Sequence, residues 1–404
     1  MSTSLLYHAF GIRGYQYRRT DQHGGQTIFT IAQEPRTCRC AACGSSDVRP
    51  RGTVERRFRH LPIGRRPTAA ILPIPRVECR ACGAVRQVEV RFADPRRSYT
   101  KGFERYALEL SRHMTIRDVA KHLGVGWDTI KDIQKRDLSR RYAKPKLKHL
   151  RHIAIDEISI AKGHRYLTIV LDLERGAVVF VGDGKGAKAL QPFWKRLRGS
   201  KAKVEAVAMD MSPAYREAVS THLRKAKIVF DRFHVMKLFN EKLSDLRRAL
   251  YREATDMMQK KVLKGTRWLL LKAAENLDGE RDEKKKLEEA LALNKSLAVA
   301  YYLKEDLRQF WEQPGKKFAT VFLDGWIKRA ESSGIKVLQG MAKTLAAHRS
   351  GLLAYYDVMI TSGPMEGTNN KIKTMKRQAY GFRDKEFFKL KILASHETKY
   401  ELVG

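Results

Sequence analysis

Negative charge is scarce in this chain. Of 404 residues, 44 are Asp or Glu and 80 are Lys or Arg, a net charge of +36. An excess of that size points to a polyanionic partner, because a basic face gains by releasing counterions from phosphates. A ribosomal protein or one bound to an anionic membrane surface would share it. Long apolar runs are also missing. None approaches the roughly 20 residues of a membrane span, so no membrane partner is expected. The opening MSTSLLYHAF lacks the basic-then-apolar order of a secretion signal, and a cytoplasmic chain is expected. Cysteine is rare. There are five, all within the first 82 residues, and an odd number argues against a disulfide framework. No collagen, coiled-coil or solenoid repeat is visible. What is present, 43% apolar residues in 404, suffices for two to four domains.

The cysteines are arranged as two matching knuckles, CAACG (residues 40–44) and CRACG (79–83). Each gives two thiolates at C-x-x-C spacing, and each ends in a glycine that permits a tight turn. Four thiolates, Cys40, Cys43, Cys79 and Cys82, favour tetrahedral, structural zinc. Five reduced cysteines without metal is the plainer alternative. A redox pair is disfavoured because the knuckles match. Cys38 is either spare or competes with Cys40. The segments VERRFRHLPIG and AAILPIP between the knuckles read as strands broken by Gly and Pro. Residues 1–95 form a zinc-ribbon domain on this reading.

Residues 114–136, MTIRDVAKHLGVGWDTIKDIQKR, have the form of a helix-turn-helix. Thr115 caps the first helix and Asp118 completes a capping box. Val119, Ala120 and Leu123 supply the apolar side, Gly124 suits the turn, and a second helix begins near Trp127 with Ile130 and Ile133 inward. Asp128, Thr129, Lys131 and Lys135 are left outward as candidate DNA contacts. A helical pair that merely packs would show the same turn. The basic tract 136–151 follows, with Arg140, Arg141, Lys144, Lys146 and Lys148. It reads as a linker or as a track along a phosphate backbone. These segments make a second domain, 96–151.

From residue 152 the pattern becomes strands 152–160, 166–173 and 177–184, a helix 187–197, a strand ending at Asp210, a helix from Pro213, and a short strand ending at Asp231. Asp156 lies inside the first strand between apolar neighbours, costly for a carboxylate unless paired or metal-bound. Glu157 points to the other sheet face, since side chains alternate. Asp210 sits at a strand mouth, where α/β sheets hold ligands.

The ordered blocks HLPIG, AIDEISI, GHRYLTIVLDL, VAMDMSPAY, VFDRFHVMKLFN and SGPMEGTNNKIKTMKRQAYGFRD, with the cysteine-rich head and the helix-turn-helix, resemble the ISL3 family of bacterial insertion-sequence transposases of DDE type. The resemblance covers nearly the whole chain. It implies a multidomain α/β protein whose RNase-H-like catalytic domain (152–231 and 361–404) is split by a large all-helical insertion (232–360). It implies three catalytic carboxylates, Asp156, Asp210 and Glu366, holding Mg²⁺ or Mn²⁺. Its partners would be double-stranded DNA, the element's terminal inverted repeats and target DNA, and the chain would act as a dimer or larger in a bacterial nucleoid.

Ser362 is placed to cap the helix that carries Glu366, with Gly363 and Pro364 in its first turn, near the positive end of the helix dipole. Asn369, Asn370 and Lys373 share its face, to orient the glutamate or hold phosphate. Asp231 and His234 stand near this site, in contact with the scissile phosphate, steadying a carboxylate, or simply packed. In the insertion, Val235, Leu238, Leu246 and Leu250 fall at helical spacing, and Trp268, Trp311 and Trp326 read most simply as core. Two other classes share some of these features. A DNA-binding regulator with a dead catalytic domain would not need the three acids. A structure-selective nuclease would not need the head.

Overall fold

The computed structural model describes residues 5–8, 10–161 and 163–397. They divide into two compact units, one covering residues up to Ala143 and one Lys144–Glu397.

The first unit opens with a short helix, α1 (Leu5–His8), and a sheet of β1 (Tyr15–His23), β2 (Gln26–Gln33), β3 (Val48–Ile63), β4 (Arg66–Cys79) and β5 (Val85–Gln87). The order is β1-β2-β4-β3, with β5 beside β4. The strands β3 and β4 are longer than their prolines suggest, and they join in one hairpin. The register explains how β4 tolerates Pro73 and Pro75. On the side away from β3, β2 pairs only with Thr68–Ile71 and β5 only with Arg76–Glu78. Both prolines fall in the gap, where that side of the strand has no ladder neighbour. Phe29, Ile31, Phe58, Leu72 and Ile74 are buried beneath the sheet.

Three helices follow: α2 (Lys101–Leu110), α3 (Ile116–Leu123) and α4 (Trp127–Tyr142). The reading of 114–136 holds in detail. The Thr115 side chain accepts from the Asp118 amide at 3.2 Å and donates to its carboxylate at 2.6 Å. Gly124 ends α3 in the left-handed conformation, φ 61°. The sequence reading missed α2, whose Phe103 and Ala107 complete a three-helix core with Val119, Leu123, Ile130 and Ile133. It also stopped the second helix too early. Six further residues after Arg136 are helical, so Arg140 and Arg141 lie on α4 and not in a linker. Lys144, Lys146 and Lys148 lie in the second unit, exposed.

The second unit contains β6 (His152–Ala161), β7 (Arg165–Asp172), β8 (Ala177–Asp183), α5 (Ala187–Gly199), β9 (Ala206–Met209), α6 (Pro213–His222) and β10 (Lys227–Phe230). The sheet order is β10-β9-β6-β7-β8, with β6, β9 and β10 parallel and β7 and β8 antiparallel. A long helix, α7 (Arg232–Glu253), leads into α8 (Met257–Gly265), α9 (Arg267–Leu271), α10 (Glu283–Ala292), α11 (Lys295–Arg308), α12 (Lys316–Ser332), α13 (Lys336–Ala347), α14 (Arg349–Leu353) and α15 (Tyr355–Val358). The chain then returns through α16 (Gly363–Gln378), against β6, and α17 (Lys385–Ala394), against β8.

Val235, Phe239, Leu243 and Leu246 bury one stripe of α7, while Leu238 and Leu250 are half-buried. Trp311 and Trp326 are core residues, but Trp268 is 65% exposed. The short α9 turns Leu269 and Leu270 inward, which leaves Trp268 outside with the Arg267 guanidinium 4.6 Å from its ring centre. No helix among the described residues is long and apolar enough to cross a membrane.

Candidate active site

Register builds the site. In the parallel pairs, Ile155 lies opposite Met209, and Met209 opposite Phe230. These three apolar residues join one core. The next residue on each strand turns to the opposite face, since side chains alternate. Those residues are Asp156, inside β6, and Asp210 and Asp231, immediately past the ends of β9 and β10, a row of aspartates across three neighbouring strands. Sheet neighbours are about 4.8 Å apart, so unscreened carboxylates this close repel one another.

Each acid is held differently. Asp156 accepts from the Glu157 amide at 2.7 Å and from the Asn369 side chain at 2.7 Å. Burial pushes its carboxyl above the usual range and the nearby Asp210 adds to this, against the opposing pull of His234. Asp210, half-buried, accepts from the Ser212 amide at 3.0 Å in a turn that fixes the start of α6. Asp231 is nearly enclosed, its side chain 5% exposed. Burial alone would raise its carboxyl, but the His234 and Ser362 side chains outweigh this and hold it below its ordinary value.

His234 sits in the first turn of α7 and faces both ends of the row. Its Nδ1 lies 3.0 Å from Asp231 and its Nε2 4.0 Å from Asp156. Burial would lower its pKa, yet the hydrogen bond to Asp231 and the charges of Asp156 and Asp210 raise it. The acids around it thus favour the charged form of His234.

Glu366 occupies the first turn of α16, exposed, one turn before Asn369 on the same face. Asn369 is buried and turns to Asp156, so it orients an aspartate of the row. Asn370 and Lys373 stay exposed. Ser362 makes no side-chain cap on α16; its hydroxyl serves Asp231. The sequence signal for Asp231 was present but underweighted. IAID, VAMD and KIVFD are three apolar runs that each lead into an Asp. Nothing local marks Asn369, whose partner is 213 residues away.

Glu157 faces away from the row, as alternation requires. It accepts from the Tyr215 hydroxyl at 3.1 Å, and Thr168 and the Gly186 amide lie within 3.2 Å of the same oxygen. Burial pushes the Tyr215 hydroxyl up to about 12, with Glu157 adding to the shift. Glu157→Gln keeps an acceptor for that hydroxyl. We expect strand cleavage within about tenfold of wild type and stability within about 1 kcal/mol, read by single-turnover cleavage and thermal melting. Loss of cleavage in this variant with cleavage retained in Asp156→Asn would reverse the assignment of faces.

The four knuckle cysteines converge in the first unit, with all four sulfurs within 4.8 Å of one another. Cys40 and Cys82 are 3.7 Å apart and Cys43 and Cys79 3.5 Å. A tetrahedral ion with bonds of about 2.3 Å spaces its sulfurs about 3.8 Å apart, so the quartet fits zinc. The knuckles fold alike. The Gly44 and Gly83 amides donate to the Cys40 and Cys79 carbonyls at 2.9 Å, and both glycines have positive φ, 78° and 68°. The Cys43 and Ala42 amides point at the Cys40 sulfur and favour its thiolate. Cys38 is no fifth ligand. It is buried in the apolar core, its thiol 3.9 Å from the Glu34 carbonyl.

The helix-turn-helix presents a mixed surface. Asp128 is exposed, and Thr129, Lys131 and Lys135 are half-buried. Lys131 lies 5.5 Å over the Trp127 ring. Arg140 and Arg141 pair with Asp137 at 2.6 and 3.6 Å. From the sheet, Arg59 donates to the Leu123 carbonyl at 2.6 Å and clamps the end of α3.

Three family models match this chain in order. One described as zinc-finger of transposase IS204/IS1001/IS1096/IS1165 covers residues 36–82, and one described as helix-turn-helix domain of transposase family ISL3 covers 88–137. A third, described as transposase, covers 153–392, more than half the chain. The chain belongs to the ISL3 family of DDE-type transposases. It is similar to the transposase for insertion sequence element IS1001 of Bordetella parapertussis, 31% identical with 98% of each chain covered. It is also similar to the transposase for IS1557 of Mycobacterium tuberculosis, 28% identical over 92% of this chain and 89% of that one. Among solved structures, the Drosophila P element transposase strand transfer complex aligns with 73% of this chain and 92% of that one. Its TM-score is 0.42 at 10% identity, too slight a likeness to define the fold.

Membership in the ISL3 family makes the second unit a polynucleotidyl transferase and gives the acid row its context. Among the described residues, the cysteine quartet alone brings three or more metal-ligating side chains within 4.8 Å of one another. Asp156, Asp210 and Glu366 do not form such a group in this structure.

Proposed function

We propose that this ISL3 transposase binds the ends of its insertion sequence, cleaves there by phosphodiester hydrolysis and joins the freed 3′-hydroxyl to target DNA, with Asp156, Asp210 and Glu366 as the catalytic carboxylates. The observation that carries the assignment is the row of aspartates on three neighbouring parallel strands, with α16 against it through the Asn369–Asp156 hydrogen bond. The three carboxylates would hold Mg²⁺ or Mn²⁺, for which their all-oxygen donor set is suited. The metals, when bound, lower the pKa of an attacking water and stabilise the departing oxygen.

The chain's own residues do the rest. Asn369 fixes the Asp156 oxygens. Asp231 and His234 act one layer behind: Asp231 orients the imidazole, and His234 offsets charge beside Asp156. The exposed Asn370 and Lys373 face phosphate. Strands β6 to β10, with two helical crossovers and α16 closing on β6, support an RNase-H-like core over 152–231 and 361–404, interrupted by the helical insertion 232–360. Residues 1–95 act as the zinc-ribbon head and 96–151 as the DNA-reading module and its connection. Two chains, one per element end, would make the working complex.

Asp128, Thr129, Lys131 and Lys135 of the first unit supply end recognition in this reading, with Arg140 and Arg141 of the first unit and Lys144, Lys146 and Lys148 of the second on phosphate. The test is a gel shift of full-length protein on DNA from the borders of its gene against scrambled DNA. We expect at least about tenfold preference at moderate salt, and a double Lys131→Ala, Lys135→Ala variant should lose most of it. Equal affinity for both DNAs would leave only phosphate binding, as for a structure-selective nuclease. Specific binding without Mg²⁺-dependent cleavage would identify a regulator instead.

A further inference from the structure

Tyr380 is fully exposed, at 100%, and its backbone is left-handed, with φ at 50°. It follows α16 at the position where a helix turns off. The Tyr380 amide donates to the Arg377 carbonyl at 3.0 Å and the Gly381 amide to the Lys376 carbonyl at 2.9 Å. That bonding pattern favours glycine at the left-handed residue. A residue with a Cβ is disfavoured there by roughly five- to thirtyfold. Glycine comes one place later, at Gly381. The strain is not repaid by packing, since the ring lies entirely in solvent. The next aromatic does the opposite: Phe382 stacks on Phe388 with ring centres 4.4 Å apart and planes at 17°. The turn is thus pinned by Phe382 while it holds Tyr380 outward.

The ring ends a stripe. Glu366, Asn370, Lys373 and Arg377 fall at helical spacing on one exposed face of α16. No salt bridge neutralises Lys373 or Arg377 among the described residues. The 14 residues from Glu366 to Tyr380 span about 21 Å at 1.5 Å per residue. That is about six nucleotides of a DNA strand at 3.4 Å each. A basic strip that a backbone can follow, with an aromatic face at its end, is a combination that suits single-stranded nucleic acid.

We propose that Tyr380 is a base-stacking residue: its ring receives an unpaired base of the DNA strand whose phosphates follow α16 from Glu366. The inference rests on the transposase reading and adds a site to it, about six nucleotides from the reacting bond. It also explains the retained strain, since a left-handed backbone throws the ring clear of the fold.

The test uses the full-length protein with three variants, Tyr380→Gly, Tyr380→Phe and Tyr380→Leu. The probes are two fluorescein-labelled DNAs of one sequence, a blunt 30-base-pair duplex and the same duplex with a 10-nucleotide single-stranded fork, at roughly physiological salt. For Tyr380→Gly, fork affinity should fall about tenfold, with duplex affinity changed less than about twofold. Its melting temperature should stay level or rise by about 2–4 °C, because glycine suits the turn. Tyr380→Phe should bind both DNAs as wild type does, and Tyr380→Leu should weaken fork binding as Tyr380→Gly does. Undiminished fork binding by Tyr380→Gly overturns the proposal. So does an equal fall on both probes, which marks a duplex contact, or a lower melting temperature, which marks a packing role. If wild type prefers end DNA and cleaves it while these variants match it, the transposase function stands and the stacking site falls. A wild-type protein that binds neither probe overturns both.

Discussion

Asp156→Asn, Asp210→Asn and Glu366→Gln should each abolish strand cleavage while DNA binding survives. The amide preserves shape and loses the charge that holds a divalent ion. A loss on the order of a thousandfold, about 4 kcal/mol of barrier, is expected for each. Binding persists because it depends on basic surfaces, and removing one negative charge beside phosphate slightly tightens it. Folding should not suffer. Burial already opposes ionisation of Asp156, and the Glu366 side chain is exposed. Asp231→Asn and His234→Ala should give intermediate defects of about 10–100-fold, since they act through Asp156 and not on the phosphate. Single-turnover cleavage of labelled end DNA with Mg²⁺ or Mn²⁺, beside a binding assay, separates these classes. A Glu366→Gln enzyme cutting near the wild-type rate would remove Glu366 from the site.

Replacing any of Cys40, Cys43, Cys79 or Cys82 with serine should unfold the tip of the head and abolish its zinc binding. Structural zinc contributes about 10–16 kcal/mol to small modules that it organises. The core beneath the knuckles is small and includes few residues from the knuckles themselves. Elemental analysis of the wild-type protein should give about one zinc per chain, and each serine variant less than a tenth of that. Specific end binding should fall with it. Cys38→Ala is the control: its thiol lies in the apolar core, so zinc content should be unchanged and stability should drop by about 1 kcal/mol. Retention of zinc by Cys43→Ser, or its loss from Cys38→Ala, would contradict the ligand set.

The cysteine quartet was legible in the sequence because a C-x-x-C turn that ends in Gly fixes local geometry, and its repetition says that the copies meet. Asp156 and Asp210 stood out as acids in or after apolar strands, but Asp231 was left open between a site role and simple packing. The helix-turn-helix was legible from local geometry too, through Thr115, Asp118 and Gly124. Features set by distant partners were not. Asn369 sits on a helix face with Asn370 and Lys373, and only the packing of α16 on β6 decides which of them turns inward. Ser362 has the local form of a cap, but a buried aspartate competes for its hydroxyl. Pro73 and Pro75 read as strand breakers because the sequence does not show that β4 has no neighbour on one side there. Trp268 reads as core because tryptophan usually is; a five-residue helix with two leucines inward leaves it no room.

The placement of the helical insertion between β10 and α16 also sets a schedule for synthesis. Asp210 and Glu366 are separated by 156 residues, and a ribosome adding about 5–20 residues per second takes roughly 8–31 seconds to cross that interval. The first unit folds during that time, since domains fold as units from the N-terminus. On the proposed reading, a nascent chain would complete its helix-turn-helix well before Glu366 is made, with most of the interval set by the length of α7 to α15.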